Sequence, residues 1–229
     1  MLTLGIDTSG KVASAAVMSE ERLLAEKILY TKLTHSQIIL PMVQELLSDC
    51  GLDFKALDAV VCAAGPGSYT GLRIGIAAVK GIVMGAPHLK CAAVSTLEAL
   101  AYGASAFQGR IVPVMYARPK IVYAGCYESR HGSITRLEED RVTDEAAYFS
   151  ALDTSSPVML TGDRSAEIKS LYFADDANVI TAPAADRLQR ASALCEAFLA
   201  APERAVPPEA LEASYLQATK AEKDKAHRD

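Results

Sequence analysis

The sequence predicts an α/β fold built from two copies of the element order βββαβαβα. Three observations carry that prediction: short apolar or alternating runs of strand length, longer stretches with apolar residues three and four apart, and the same order beginning again after Gln108-Gly109. In the first copy Leu2–Asp7 alternates and is rich in β-formers, and Ser14–Met18 and Arg22–Ile28 follow across short turns as a meander. From Ser36 to Cys50 the residues Ile39, Met42, Val43, Leu46 and Leu47 repeat at helical spacing, with Gly51 as the stop. Leu57–Cys62 is a short apolar run that suits a parallel strand covered on both faces. A helix from Thr70 to Gly85, a strand at Cys91–Val94 and a helix from Ser95 to Ala104 complete the copy.

The second copy opens with strands at Ile111–Ala117, Ile121–Glu128 and Ser133–Leu137. Thr143 is placed to cap a helix over Asp144–Leu152. A strand at Pro157–Thr161, a helix over Ser165–Phe173, a strand at Asn178–Ile180 and a helix over Asp186–Ala200 close it. The organisation expected is therefore a first lobe at 1–105, a second at 106–205 and a C-terminal segment at 206–229. Ala201–Pro208 is a linker, Leu211–Leu216 returns to the first lobe, and Lys220–Asp229, nearly all charged or alanine, is a frayed helix or solvated tail.

Composition narrows the function. Half of the 229 residues are apolar and the net charge is −5, which argues against gripping nucleic acid by bulk electrostatics. Five widely spaced cysteines with no Cys-x-x-Cys pair read as reduced core residues. No apolar run approaches the roughly 18 residues that a bilayer span needs. The opening Met-Leu-Thr-Leu-Gly-Ile-Asp lacks a basic leader and reads as a strand, so a cytoplasmic location is expected.

Two loops carry candidate chemistry. Gly65-Pro66-Gly67-Ser68 joins a strand to a helix; its glycines open otherwise forbidden backbone angles, and Ser68 or Thr70 can cap the helix. It is either a tight turn or an anion cradle at a helix N-terminus. Asp7, Thr8 and Ser9, before Gly10, form either a hairpin turn or a phosphate-binding hairpin with Asp7 near a metal-bound nucleotide. Asp7, Thr8, Ser9, Gly65, Gly67 and Ser68 are accordingly the candidate nucleotide site. No Walker-type loop, Gly-x-Ser-x-Gly elbow or histidine pair at i, i+4 occurs, so no metal site and no catalytic nucleophile is expected.

The helices offer a different signal. Gly71, Gly75 and Ala78, with Gly81 and Gly85 beyond, give the second helix a bare stripe, although each interior glycine costs about 1 kcal/mol relative to alanine. The first helix is apolar over more than one narrow face. Either the two helices pack against the second half of this chain or they form a protein interface; the candidate interface residues are Ile38, Ile39, Met42, Leu46, Gly71, Gly75, Ala78, Val79 and Ile82.

Leu4-Gly-Ile-Asp-Thr-Ser9, His35-Ser-Gln-Ile-Ile-Leu-Pro-Met42, Gly65-Pro-Gly-Ser-Tyr-Thr-Gly-Leu-Arg-Ile-Gly75 and Val94-Ser-Thr-Leu-Glu-Ala-Leu100 together resemble the bacterial TsaB (YeaZ) family. Members are accessory subunits in the synthesis of N6-threonylcarbamoyladenosine at position 37 of tRNA. The resemblance is strong over about the first hundred residues and mainly topological beyond. It implies a two-lobed actin-like ATPase (ASKHA, ribonuclease H-like) fold and a non-catalytic role, since only His35 lies near where the related TsaD subunits carry a metal-binding histidine pair. It also implies a heterodimer with a TsaD-like subunit through the first two helices, work with a TsaE-like ATPase, and contact with tRNA only through the complex. No tightly bound cofactor is implied, ATP or ADP would bind within the complex, and the chain alone could form a homodimer. The sequence departs from the family where Tyr116-Ala-Arg118-Pro-Lys120 replaces Asp-Ala-Arg-Arg, and Tyr215-Leu-Gln-Ala replaces Tyr-Leu-Arg. The competing expectation is a compact nucleotide-dependent ATPase or phosphotransferase built on Asp7 and the glycine loop; a metalloprotease lacks the histidines it would need.

Overall fold

The computed structural model describes residues 1–30 and 33–217; the expected charged tail, Lys220–Asp229, lies outside them. The first half forms strands β1 (Leu2–Asp7), β2 (Val12–Ser19) and β3 (Leu23–Tyr30), helix α1 (His35–Asp49), β4 (Ala59–Gly65), α2 (Tyr69–Gly85), β5 (Lys90–Ser95) and α3 (Thr96–Tyr102). The second half repeats the order with β6 (Gly109–Arg118), β7 (Ile121–Arg130), β8 (Ser133–Asp144), α4 (Glu145–Ser150), β9 (Val158–Thr161), α5 (Ser165–Tyr172), β10 (Val179–Thr181) and α6 (Ala191–Leu199). The two five-stranded sheets run β3-β2-β1-β4-β5 and β10-β9-β6-β7-β8, the same order written from opposite edges. In each, a three-strand antiparallel meander is extended by two parallel strands. This is the duplicated βββαβαβα arrangement of the actin-like two-lobed fold.

Local chemistry fixes the helix ends. At α1 the backbone N–H of Thr34 donates to Gln37 Oε1 at 3.2 Å, half of a capping box, and Gly51 takes φ +65 just past the C-terminus. Ser68 Oγ accepts from Gly71 N at 3.2 Å to cap α2, and Ser95 Oγ accepts from Leu97 N at 3.2 Å to cap α3. The cap of α4 is Asp144, which accepts from Ala147 N at 3.0 Å, and not the expected Thr143. Thr143 instead continues β8, which runs seven residues past its expected end at Leu137 because Ile121–Ala124 of β7 offers it a ladder. The last helix begins at Ala191 and not Asp186, since 184–190 forms an irregular connection.

The lobes exchange their third helices. Helices α1 and α2 cover one face of the first sheet, where Leu4, Val17, Val43, Leu46, Val60 and Val79 share a core. The other face is covered by α6, which comes from the second half: Leu194, Cys195 and Phe198 pack with Val61, Ala92 and Val94. In return α3 packs Leu97, Leu100 and Ala101 onto Ile111, Met115 and Tyr127 of the second sheet. Linear boundaries at 105 and 205 therefore cut across packing units. The exchange also explains why Gly5 has no side chain: a Cβ there would collide with the backbone oxygen of Ala191 and lie 2.8 Å from Cys195 Sγ.

Polar contacts seal the seam between the halves. Asp140 accepts from Tyr127 Oη at 2.6 Å and from Ser95 Oγ, and Glu98 pairs with Arg204 at 3.0 Å. On the opposite side Arg190 binds Glu26 and Asp186, and Lys11 reaches Asp163 at 3.4 Å. The C-terminal segment returns as expected: Val206 bridges Cys91 at the open edge of β5, Leu211 is buried in the first core, and Ser214 N donates to Ala64 O at 2.8 Å.

Candidate functional site

The structure brings Asp7, Thr8, Ser9, Gly65, Gly67 and Ser68 together, at the C-terminal ends of β1 and β4. Several of their donors bond within the junction. Asp7 Oδ1 accepts from Ser9 N at 2.8 Å and Ser9 Oγ at 2.6 Å. Ser68 N donates to Ser9 O at 2.8 Å, and Thr8 Oγ1 donates to Gly71 O at 2.7 Å. A Cβ on Gly67 would strike Ser9 O, and one on Gly71 would strike Thr8 O, so these glycines exist to let the loop and α2 press onto the hairpin. Gln189 lies over Gly10, whose added Cβ would sit 2.5 Å from Gln189 Oε1. The six residues form a packed junction, and its margin is open: Ser68, with neighbouring Gly10 and Gly71, lines a cavity together with Lys11, His35 and Thr70.

Asp7 is the unusual group in that junction. Its side chain is fully buried, and Oδ2 has no hydrogen-bond partner. Burial pushes its carboxyl above the usual range, against the two bonds from Ser9 and the charge of nearby His35. His35, at the first turn of α1, is half-buried and lies 2.9 Å from Gly10 O through Nε2. Tyr116, which stands where the family pattern has aspartate, donates its N–H to Asp163 at 2.9 Å, beside the pair of Asp163 with Lys11. Burial raises the thiols of Cys62 and Cys195 and pushes Cys126 up to about 11, which makes these three poor nucleophiles. No cluster of three or more His, Cys, Asp or Glu side chains suited to a metal occurs among the described residues.

The candidate interface divides by helical phase. Ile39, Met42, Leu46 and Val79 are buried in the first core, and Gly71, Gly75 and Ala78 also face inward. Gly75 closes on Thr8, whose Oγ1 would lie 2.7 Å from an added Cβ. These seven residues are corrected to core positions: the first sheet needs a full apolar cover, and α2 needs bare residues to approach the hairpin. Ile38 and Ile82 remain half-buried at the helix margins. What faces out on α2 is the stripe Thr70, Arg73, Ala77, Gly81 and Met84, at steps of three and four. A Cβ at Gly81 or Gly85 would meet nothing within 4 Å, and Met84 is 78% exposed. On α1 the outward apolar residues are Leu40, 44% exposed, and Pro41. A groove of about 570 Å³ runs between α1 and β3, and a cavity of about 580 Å³ opens between Lys11, His35, Thr70 and Ile74.

A family model described as TsaD, tRNA N6-adenosine threonylcarbamoyltransferase, matches residues 23–202. Full-length similarity lies elsewhere: the chain is 34% identical over 224 residues to the tRNA threonylcarbamoyladenosine biosynthesis protein TsaB of Bacillus subtilis, covering 97% of this chain and 96% of that one. The chain belongs to the TsaB family. The TsaB of Escherichia coli is 36% identical over 141 residues, 61% of this chain and 60% of that protein. A Pseudomonas aeruginosa crystal structure, described as an uncharacterized protein with similarity to peptidase YeaZ, superposes with a TM-score of 0.81 at 28% identity, over 94% of this chain and 99% of that one. Among the described residues of this TsaB-family chain, no helix is long and apolar enough to cross a membrane.

The sequence shows Gly81 and Gly85 as bare positions but not that they part from Gly71, Gly75 and Ala78 onto the outward face. Ala77, Gly81 and Gly85 at i, i+4, i+8 were a signal for it, but Gly71, Gly75 and Ala78 offered an equally bare face on the same helix. Only contacts decide which small face meets the core.

Proposed function

We propose that this chain is a non-catalytic scaffold or activator subunit in the synthesis of N6-threonylcarbamoyladenosine at position 37 of tRNA, acting by pairing its α1/α2 face with a TsaD-like catalytic subunit. Membership of the TsaB family supports the pathway. The single observation that carries the docking mode is the outward stripe of α2, where Ala77, Gly81 and Gly85 leave the backbone bare and Met84 and Leu40 stand exposed beside it. Among the described residues a Cβ at Gly81 or Gly85 would have no neighbour within 4 Å, yet glycine at 81, inside the helix, costs helix stability. Close approach of a partner helix offsets that cost. In this reading ATP or ADP binds within the assembled complex, where a TsaE-like ATPase and tRNA are also met. The same face supports a homodimer when the chain is alone.

The test is capture of the TsaD-like subunit by purified chains, read by sedimentation and by threonylcarbamoyl transfer to tRNA. Gly81→Arg should abolish capture and the transfer that depends on it while the melting temperature holds. Wild-type capture by the variant would overturn the docking mode. Tight ATP binding and turnover by the isolated chain, lost in Asp7→Asn, would overturn the non-catalytic role in favour of an ATPase.

A further inference from the structure

We propose that Arg73 is a specificity contact of the docking face, a guanidinium held ready for a carboxylate on the partner subunit; this rests on the docking mode above. Arg73 lies four residues before Ala77 and eight before Gly81, at the N-terminal end of the same outward stripe. Its guanidinium carbon sits 4.3 Å from the centre of the Tyr69 ring, and its Nε donates to Tyr215 Oη at 3.3 Å. The two tyrosine rings are themselves 5.1 Å apart. A cation stacked on one ring and hydrogen-bonded to another has a restricted rotamer, so less order is lost when it binds.

Arg110, Arg136, Arg164, Arg190 and Arg204 each meet a carboxylate of this chain. Arg73 meets two phenols, and among the described residues its Nη groups meet no acceptor. The chain carries 28 acidic residues against 23 Lys and Arg, so the lack of a carboxylate beside Arg73 is a matter of placement and not of supply. Tyr69 and Tyr215 are 43% and 39% exposed, leaving an aromatic and arginine cluster open to solvent, the composition in which binding energy concentrates.

The fold brings Tyr215 there at some length. The C-terminal segment is tied at Val206 to Cys91, at Leu211 to the core and at Ser214 N to Ala64 O before it sets Tyr215 against α2. Gly65, at φ +118, makes the crossing possible, since its Cβ would lie 2.5 Å from Ser214 O. The partner chemistry that matches is an aspartate or glutamate accepting two parallel N–H bonds from Nη1 and Nη2.

The experiment measures affinity of the full chain for the TsaD-like subunit at low and high salt, beside Gly81→Arg. Arg73→Ala should weaken binding about 10- to 100-fold at low salt. Arg73→Glu should weaken it further, Arg73→Lys should recover part of the loss, and Tyr215→Phe should lose less than Arg73→Ala. Melting temperatures should not move, because the cluster is on the surface. If Arg73→Ala and Arg73→Glu bind like wild type while Gly81→Arg does not, the docking mode stands and this inference falls; if Gly81→Arg also binds normally, both fall. Unchanged capture with reduced tRNA cross-linking to the Arg73→Glu complex would make the anion an RNA phosphate and overturn the carboxylate.

Discussion

Replacing Asp7 by Asn tests the packing of the junction most directly. Asp7 is fully buried, its Oδ1 takes two hydrogen bonds from Ser9, and its Oδ2 takes none. A buried acceptor without a partner costs about 1–3 kcal/mol, and more when charged. Asparagine keeps the acceptor for Ser9, puts an equally unpartnered amide N–H where Oδ2 was, and so relieves only the cost of burying the charge. Because the folded-state pKa of Asp7 is raised, the folded protein binds its proton more tightly than the unfolded chain does. Its contribution to stability is therefore greatest below the unfolded-state value and is lost as pH rises through the folded-state value. Asp7→Asn should stabilise the protein by about 1–3 kcal/mol at pH 8, a gain of about 2–12 °C in melting temperature for a chain of this size. The gain should shrink toward pH 4. The assay is urea unfolding of both proteins from pH 4 to 8, using their difference so that Asp153 and Asp176, whose pKa values are lowered, cancel. A variant that is less stable than wild type at pH 8, or a difference flat across the range, would refute the account of Asp7 as a buried, half-satisfied carboxylate.

Two further outcomes follow from the packing of α2 and the C-terminal segment. Gly71→Ala drives a methyl group into Thr8 O and should cost about 1–3 kcal/mol, whereas Gly81→Ala, in open space, should gain up to about 1 kcal/mol; equilibrium unfolding of the pair checks both. Leu211→Ala should cost about 2–5 kcal/mol, since Leu211 is 1% exposed within the first core, and limited proteolysis should show the C-terminal segment released ahead of global unfolding.

The repeat was legible because its signals are local. Ile39, Met42, Val43, Leu46 and Leu47 mark one helical face wherever the helix goes, and all five are buried. The Leu57–Cys62 run found its strand although the ladder is shifted to 59–65, since apolar runs locate a strand better than they locate its ends. Helix exchange was not legible. Nothing in Leu97 or Leu194 says which sheet will receive it, because apolar faces are not addressed to a partner in sequence. How the two candidate loops meet was not legible for a related reason: Asp-Thr-Ser-Gly and Gly-Pro-Gly-Ser have the right residues to hold phosphate, but that Ser68 N would donate to Ser9 O, across 59 residues of chain, is set by the pairing of β1 with β4.

The same glycine-rich stretch thus does opposite work along its length. Gly67, Gly71 and Gly75 remove side chains so that α2 can close on the hairpin, and each is fixed by an oxygen of Thr8 or Ser9. Gly81 and Gly85, about two and three turns beyond Gly75, are fixed by nothing among the described residues. A helix that needed glycine only to reach the hairpin could carry alanine at 81 at a gain in stability. Keeping it bare makes sense when another surface must come as close on the outside as Thr8 comes on the inside, and Gly81→Ala separates the two roles: unfolding should show the gain, and capture of the TsaD-like subunit should show the loss. A variant that is both more stable and equally well captured would leave the outer glycines without a docking role.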